Sequence, residues 1–195
     1  MIDVSRETSA RLEQFKQLVV AANAEQNLVS AATLDDFDTR HVADAAQLVG
    51  LAPPGANWCD IGSGAGLPGI VVALIAGCRM TLVEPRRLRA QFLRDAVAAL
   101  ELAEVDVREC KAEALEGKYD VITARAVAEL NKLLAMTQHL SHAGTRWILP
   151  KGRRAKIELA AARLSWQGSF ELVPSQTSDD ALIVVAERVR RGGKS

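Results

Sequence analysis

The chain has 195 residues, which fits one domain with a modest extension, and 49% of them are hydrophobic, ample for a real core. Lys and Arg number 24 and Asp and Glu 24, so nucleic-acid binding is not advertised by the total and requires positive charge gathered on one side. The cysteines, Cys59, Cys78 and Cys110, are an odd set without a CxxC pair, which argues against a disulfide scaffold and a zinc site and fits a reducing, cytoplasmic compartment.

The first residues, "MIDVSRETSARLEQ", lack the basic-then-apolar pattern of a secretory signal. In "SARLEQFKQLVVAAN", Leu12, Phe15, Val19 and Ala22 follow helical spacing. In "TRHVADAAQLVG", Val42, Ala45, Ala46 and Val49 do the same, with Gly50 placed to end the helix. "LAPPGAN" is a break. From residue 56 onwards, strands are expected at "NWCDIG", "RMTLVE", "EVDVRE", "YDVITA" and "RWILPK". Helices fall between them, around Pro68–Ala76, Arg86–Leu100, Glu129–Leu140 and Arg153–Leu164. Repeated strand–helix units imply a parallel sheet covered by helices on both faces. Two last strands, "FELV" and "ALIVVAERV", joined by the polar "PSQTSDD", add an antiparallel edge. The longest nearly apolar run, Gly69 to Cys78, falls well short of the roughly twenty residues that span a bilayer. This divides the chain into a helical N-terminal cap or extension (1–52), a Rossmann-like domain (53–189) and a disordered basic tail (190–195).

"DIGSGAGLPG" follows the first strand and opens a helix. Gly62, Gly64 and Gly66 make GxGxG, while Gly64, Gly66 and Gly69 make GxGxxG, so a dinucleotide fingerprint stays open on pattern alone. In either register glycine allows positive φ and lets a ligand lie against bare backbone amides at a helix N-terminus. Glu84 ends the second strand, where an acid accepts both hydroxyls of a ribose. The turn is flanked by Asp60, Ala65, Leu67 and Pro68 rather than by cations. An acid ahead of the loop suits a cofactor with a cationic end better than a pyrophosphate, which points to S-adenosylmethionine.

"NLVSA", "TRHVADA", "DIGSGAGLPGI", "LVEPRRLRAQFLR", "CKAEAL", "DVITARAVAEL" and "LPKG" occur in this order. From about Asn27 to Gly152 the chain resembles the bacterial small-subunit ribosomal RNA (guanine-N7) methyltransferase family, also called glucose-inhibited division protein B. The resemblance implies a class I S-adenosylmethionine-dependent α/β fold with a mostly parallel seven-stranded sheet, acting on N7 of one guanine in 16S ribosomal RNA. Carried over by position, Gly62 and Leu67 contact the cofactor, Glu84 is the ribose acid, Ala112 and Glu113 hold the adenine end, and Arg125 closes the site. Lys151 is a substrate-positioning residue with Arg125. Pro85 and Pro150 depart from the family's usual residues, and Pro150 puts the aim of Lys151 in question.

Methyl transfer to a guanine N7 needs alignment rather than a base, since that nitrogen has a lone pair and no proton to lose. No catalytic acid, base or metal ligand is therefore assigned. No cysteine stands where pyrimidine C5 chemistry needs one, and "TARAVAEL" replaces the Asn/Asp-Pro-Pro-aromatic loop of amino-group methylation. Arg40, His41, Lys151, Arg153 and Arg154 are expected on one rim as the RNA-binding set, with Arg188, Arg190, Arg191 and Lys194 as a basic tail. The bland alternatives are a local His41–Asp44 hydrogen bond, an Arg125–Glu129 pair at helical spacing, and a solvated face for Arg86, Arg87, Arg89 and Arg94. The partner is naked or partly assembled 16S ribosomal RNA, bound by a monomer without membrane or metal. Two other readings remain: an NAD(P)-dependent oxidoreductase using the GxGxxG register, which lacks a Tyr-x-x-x-Lys pair, and a non-catalytic RNA-binding or assembly factor on the same scaffold.

Overall fold

The computed structural model describes residues 4–192. Seven strands, β1 (Trp58–Ile61), β2 (Met80–Val83), β3 (Val105–Arg108), β4 (Val121–Thr123), β5 (Arg146–Lys151), β6 (Trp166–Pro174) and β7 (Leu182–Arg191), form one sheet in the order β3-β2-β1-β4-β5-β7-β6. The first five run parallel, and β7 lies antiparallel between β5 and β6. The order reverses direction at β1, so the carboxyl ends of β1 and β4 diverge into the crevice where such sheets bind ligands.

Strand side chains alternate between two cores, as the pleat requires. Trp58, Leu82, Val121 and Ile148 face one side, with α4 (Gly69–Ala76) and α5 (Arg87–Ala99). Cys59, Val83, Ile122 and Trp147 face the other, with α6 (Leu130–Thr137) and α7 (Ala155–Arg163). The first core also takes in Leu12, Phe15, Val19, Phe37 and Leu48, so the N-terminal helices share it rather than building their own. α1 (Arg6–Gln26) starts at Ser5, whose Oγ accepts the Thr8 N–H, and stops at Asn27 in the left-handed region. A short α2 (Ala31–Leu34) follows. Among the described residues, no helix is long and apolar enough to cross a membrane.

Three expectations need correction. The continuous helix read across 39–50 is a π-helical stretch (Asp38–Ala43), a short α3 (Asp44–Ala46) and a 3-10 turn (Val49–Leu51). The widened turn coincides with the place where the Arg40 carbonyl and the His41 ring meet Arg125, in keeping with the bias of π-bulges toward functional sites. The "FELV" strand begins earlier, at Trp166, because an edge strand with one wet face hides its periodicity and a bulge at Gln167/Ser169 breaks its register. The tail expected from 190 is partly sheet: Arg190 and Arg191 pair with Gln167 and Trp166, and the Arg191 guanidinium lies 5.0 Å from the Trp166 ring centroid. Gly193, Lys194 and Ser195 lie outside the described residues.

Candidate active site

The glycine loop is held from within. Gly62 N–H and Ser63 N–H both donate to the Val83 carbonyl, at 2.8 and 3.0 Å, and Gly66 and Leu67 N–H both donate to Ser63 O. Gly64 N–H donates to Glu84 Oε2 at 3.0 Å, and Gly69 N–H donates to Asp60 Oδ2 at 3.1 Å. From Gly62 to Gly69, only the Ala65 amide has no partner among the described residues. The expectation that bare amides cradle a ligand therefore fails: the strand ends consume them. What the glycines provide is close approach, with Gly62, Gly64 and Gly66 at φ of 69°, 55° and 85°. A pyrophosphate needs donating amides, so this loop is a poor dinucleotide site, and on firmer grounds than the absence of cations. Cations do stand close by, since Arg86 and Arg89 line the cleft beside the loop.

Glu84, buried, is preset by two N–H groups, with Oε1 accepting from Arg86 at 2.9 Å and Oε2 from Gly64. It lines a cleft of about 450 Å³ with Gly62, Ala112, Glu113, Val127 and Lys132, inside the usual range for a small-molecule site. Gly62, Glu84, Ala112 and Glu113 are thus brought together as expected. Leu67 is buried in the first core and, like Gly64, Gly66 and Arg125, does not line the cleft. Asp60 is wholly buried beneath the loop. Burial pushes its pKa up to about 7 against the opposing pull of Ser63, the Gly69 N–H and Arg125, and its Oδ1 has no partner.

A second cleft, of about 460 Å³, holds Asp44, Arg125, Glu129, Lys151, Glu158 and Ser175. The two clefts share Ala126, Val127 and Ala128, so the segment after β4 is the wall between them. Ala126 sits at φ 56°, a costly conformation for a residue with a Cβ. The wall is pinned from outside: Lys151 Nζ donates to Ala128 O at 2.7 Å and pairs with Glu158 at 3.0 Å, and Glu158 also accepts the Leu130 N–H at the start of α6.

Arg125 is not paired with Glu129, which instead meets Arg154 at 3.0 Å. Its Nη1 contacts Arg40 O (3.3 Å), His41 Nδ1 (3.1 Å) and Asp44 Oδ2 (3.6 Å). Burial, with Arg125 next in weight, lowers the His41 pKa to about 4, so the ring is neutral at pH 7 and Nδ1 accepts from the guanidinium. Asp44 bonds Gln47 and Thr177, and no hydrogen bond joins it to His41 among the described residues.

The RNA-facing set is split. Arg40, Arg153 and Arg154 have side chains 60%, 84% and 69% exposed, and Arg40 and Arg153 share a third cleft with Thr177 and Ser178. His41 is buried and Lys151 is only 11% exposed, its ammonium spent on Glu158 and Ala128, so neither stands on the open rim. Val127 and Thr177 have no place in the sequence reading, and Asp44 enters it only as a partner of His41, not of Arg125 and Thr177. The only sequence signal for the first was its place just past a strand's carboxyl end.

The model of a family described as rRNA small subunit methyltransferase G matches residues 8–179. A protein of Rhizorhabdus wittichii described as ribosomal RNA small subunit methyltransferase G is 46% identical, over 98% of this chain and 90% of its own length. One of Sphingopyxis alaskensis with the same description is 42% identical, over 93% and 79%. Among solved structures, a ribosomal protein L11 methylase of Lactobacillus delbrueckii aligns with a TM-score of 0.59 at 19% identity, covering 74% of this chain and 76% of that one. A glycopeptide N-methyltransferase complexed with sinefungin aligns at 0.63 and 10% identity, covering 75% and 93%. Those two likenesses establish a shared methyltransferase fold.

Proposed function

The chain belongs to the rRNA small subunit methyltransferase G family, and from that premise we propose that it transfers the methyl group of S-adenosylmethionine to N7 of a guanine in 16S ribosomal RNA. The observation that carries the reading is the pair of clefts divided only by Ala126–Ala128. One has the volume and the acid for an adenosyl group, and the other shares Asp44, Gly152 and Ala181 with a third cleft that Arg40 and Arg153 line. The oxidoreductase reading loses its phosphate-binding amides, and a non-catalytic role leaves the preset Glu84 without a purpose.

The residues fit the cofactor. Gly62 allows close approach, Glu84 accepts from the ribose hydroxyls, and Ala112 and Glu113 wall the adenine end. When bound, the cofactor supplies an electrophilic methyl on a sulfonium whose leaving group departs neutral. The protein's work is then alignment, which contributes several kcal/mol in reactions of this kind. N7 brings its own lone pair, so no residue takes a proton. The guanine ring gains positive charge as the bond forms, and of the carboxylates on the second cleft Glu129, whose partner Arg154 is exposed, is the one suited to it. Arg125 holds the acceptor side, and Arg40, Arg153 and Arg154 neutralise RNA phosphates.

In paired RNA, N7 lies in a deep groove that side chains do not enter, so the target guanine is unpaired or drawn out. The substrate is naked or partly assembled small-subunit RNA, and the enzyme acts as a cytoplasmic monomer. The test is transfer from labelled cofactor to unmethylated 16S ribosomal RNA, followed by reduction and aniline cleavage, which breaks the strand at N7-methylguanosine. A single cleavage site is expected. Label on another atom, or equally fast methylation of mature subunits, sinks the respective part of the proposal.

A further inference from the structure

Asp44 stands where three segments meet. Its Oδ1 accepts from Gln47 Nε2 at 3.0 Å and from Thr177 Oγ1 at 2.9 Å, while Oδ2 lies 3.6 Å from Arg125 Nη1. Gln47 extends the connection: its Nε2 reaches Ser175 Oγ at 3.2 Å and its Oε1 accepts the Gln176 N–H at 2.9 Å. One carboxylate thereby joins the N-terminal extension, the β6–β7 connection and the segment after β4.

The hydrogen bonds of Arg125 run through Nη1, as does its shortest approach to Asp44, and among the described residues Nε and Nη2 donate no hydrogen bond to protein. An arginine gripped by one nitrogen presents its remaining donors in a fixed fork, the geometry that suits phosphate and base acceptors. Both side chains are about one-fifth exposed, so their attraction is screened less than that of a surface pair. Both line the second cleft, and neither lines the cofactor cleft.

We propose that Asp44 is a positioning residue for methyl transfer: it holds Arg125 so that Nε and Nη2 address the RNA in the second cleft. The inference rests on the reading of Arg125 as an acceptor-side residue, and its failure is separable from the failure of that reading. A mere latch between segments needs only hydrogen-bond acceptance from Gln47 and Thr177, which an asparagine oxygen also supplies. Positioning of Arg125 needs the charge.

The test is single-turnover methylation of unmethylated 16S ribosomal RNA at saturating cofactor, with cofactor affinity and thermal melting measured in parallel. Asp44→Asn is expected to slow the step by about tenfold or more while cofactor Kd stays within about twofold and the melting temperature holds. Arg125→Ala should slow it at least as much, and the double variant should be no slower than Arg125→Ala alone. A wild-type rate for Asp44→Asn, or a double variant slowed by the product of the two single effects, overturns the inference. A wild-type rate for Arg125→Ala overturns the reading beneath it and the inference together. Should Asp44→Asn not fold, Asp44→Glu decides: a displaced charge slows the step at unchanged cofactor Kd, and a wild-type rate refutes positioning.

Discussion

Gly62 lies directly beneath Val127: a Cβ at position 62 would stand 2.6 Å from Val127 Cγ2. The contact couples the loop after β1 to the wall after β4, on the cofactor's side of that wall. Gly62→Ala should therefore weaken cofactor binding for two reasons, the clash and the φ of 69°, the latter costing about 1–2 kcal/mol. Adding Val127→Ala removes the clash and leaves the backbone cost. Calorimetric titration with S-adenosylmethionine should show partial recovery in the double variant. No recovery would mean that Val127 does not press on Gly62 in solution.

Glu84→Gln tests the preset acid. Both carboxylate oxygens accept backbone N–H groups, from Gly64 and Arg86, and an amide turns one acceptor into a donor facing a donor. A buried unmet N–H costs about 1–3 kcal/mol, so melting should drop; hydrogen bonds to a charged acceptor contribute about 1.5–3 kcal/mol, so losing the carboxylate should lower affinity by about tenfold to a hundredfold. Unaltered binding by Glu84→Gln would remove Glu84 from the cofactor site.

The layout of this fold was largely legible and the site only partly so, for physical reasons. Each buried strand announces itself by an apolar run between turn residues, and Glu84 by its distance from the glycines, because both signals are local. Asp44 depends on Arg125 and Thr177, far away in the chain, and Lys151 on Ala128 before it and Glu158 a helix turn or two beyond, and composition carries no trace of such pairings. The amides of the glycine loop misled for the same reason. Their acceptors are the Val83 carbonyl of the neighbouring strand, the Ser63 carbonyl and the carboxylates of Glu84 and Asp60, which a motif cannot display.

His41 and Asp60 make opposite demands on pH. His41 has a folded pKa of about 4 against 6.5, so the unfolded chain binds more protons between those values and stability drops as pH falls from 6.5 toward 4. Asp60 has a folded pKa of about 7 against 3.8, so the folded chain binds more protons and stability drops as pH rises from 3.8 toward 7. Each slope is at most about 1.4 kcal/mol per pH unit, and together they flatten the profile between about pH 4 and 6.5. Asp60→Asn should expose the His41 slope, with stability rising with pH over that range. His41→Gln should expose the reverse. Urea denaturation from pH 4 to 7 checks both, and parallel profiles for the two variants would contradict the assignment.

Lys151 and Arg153 stand two residues apart and should answer salt differently. Lys151 is paired with Glu158 at 3.0 Å and almost fully enclosed, while Arg153 is 84% exposed beside Asp180. Removing one partner of a fully buried pair strands the other charge and costs about 3–5 kcal/mol, an upper bound for this part-buried pair, so Lys151→Met should lower the melting temperature and loosen the 126–128 wall. The salt dependence of RNA binding should stay the same, because no phosphate contact is lost. Arg153→Ala should leave melting nearly unchanged, weaken binding across RNA sequences, and reduce the slope of log K against log salt by about one. The measurement is RNA affinity by fluorescence anisotropy between low and moderate salt, with melting curves alongside. If Lys151→Met flattens the salt slope while the melting temperature holds, the ammonium reaches RNA, and the pair with Glu158 breaks on binding.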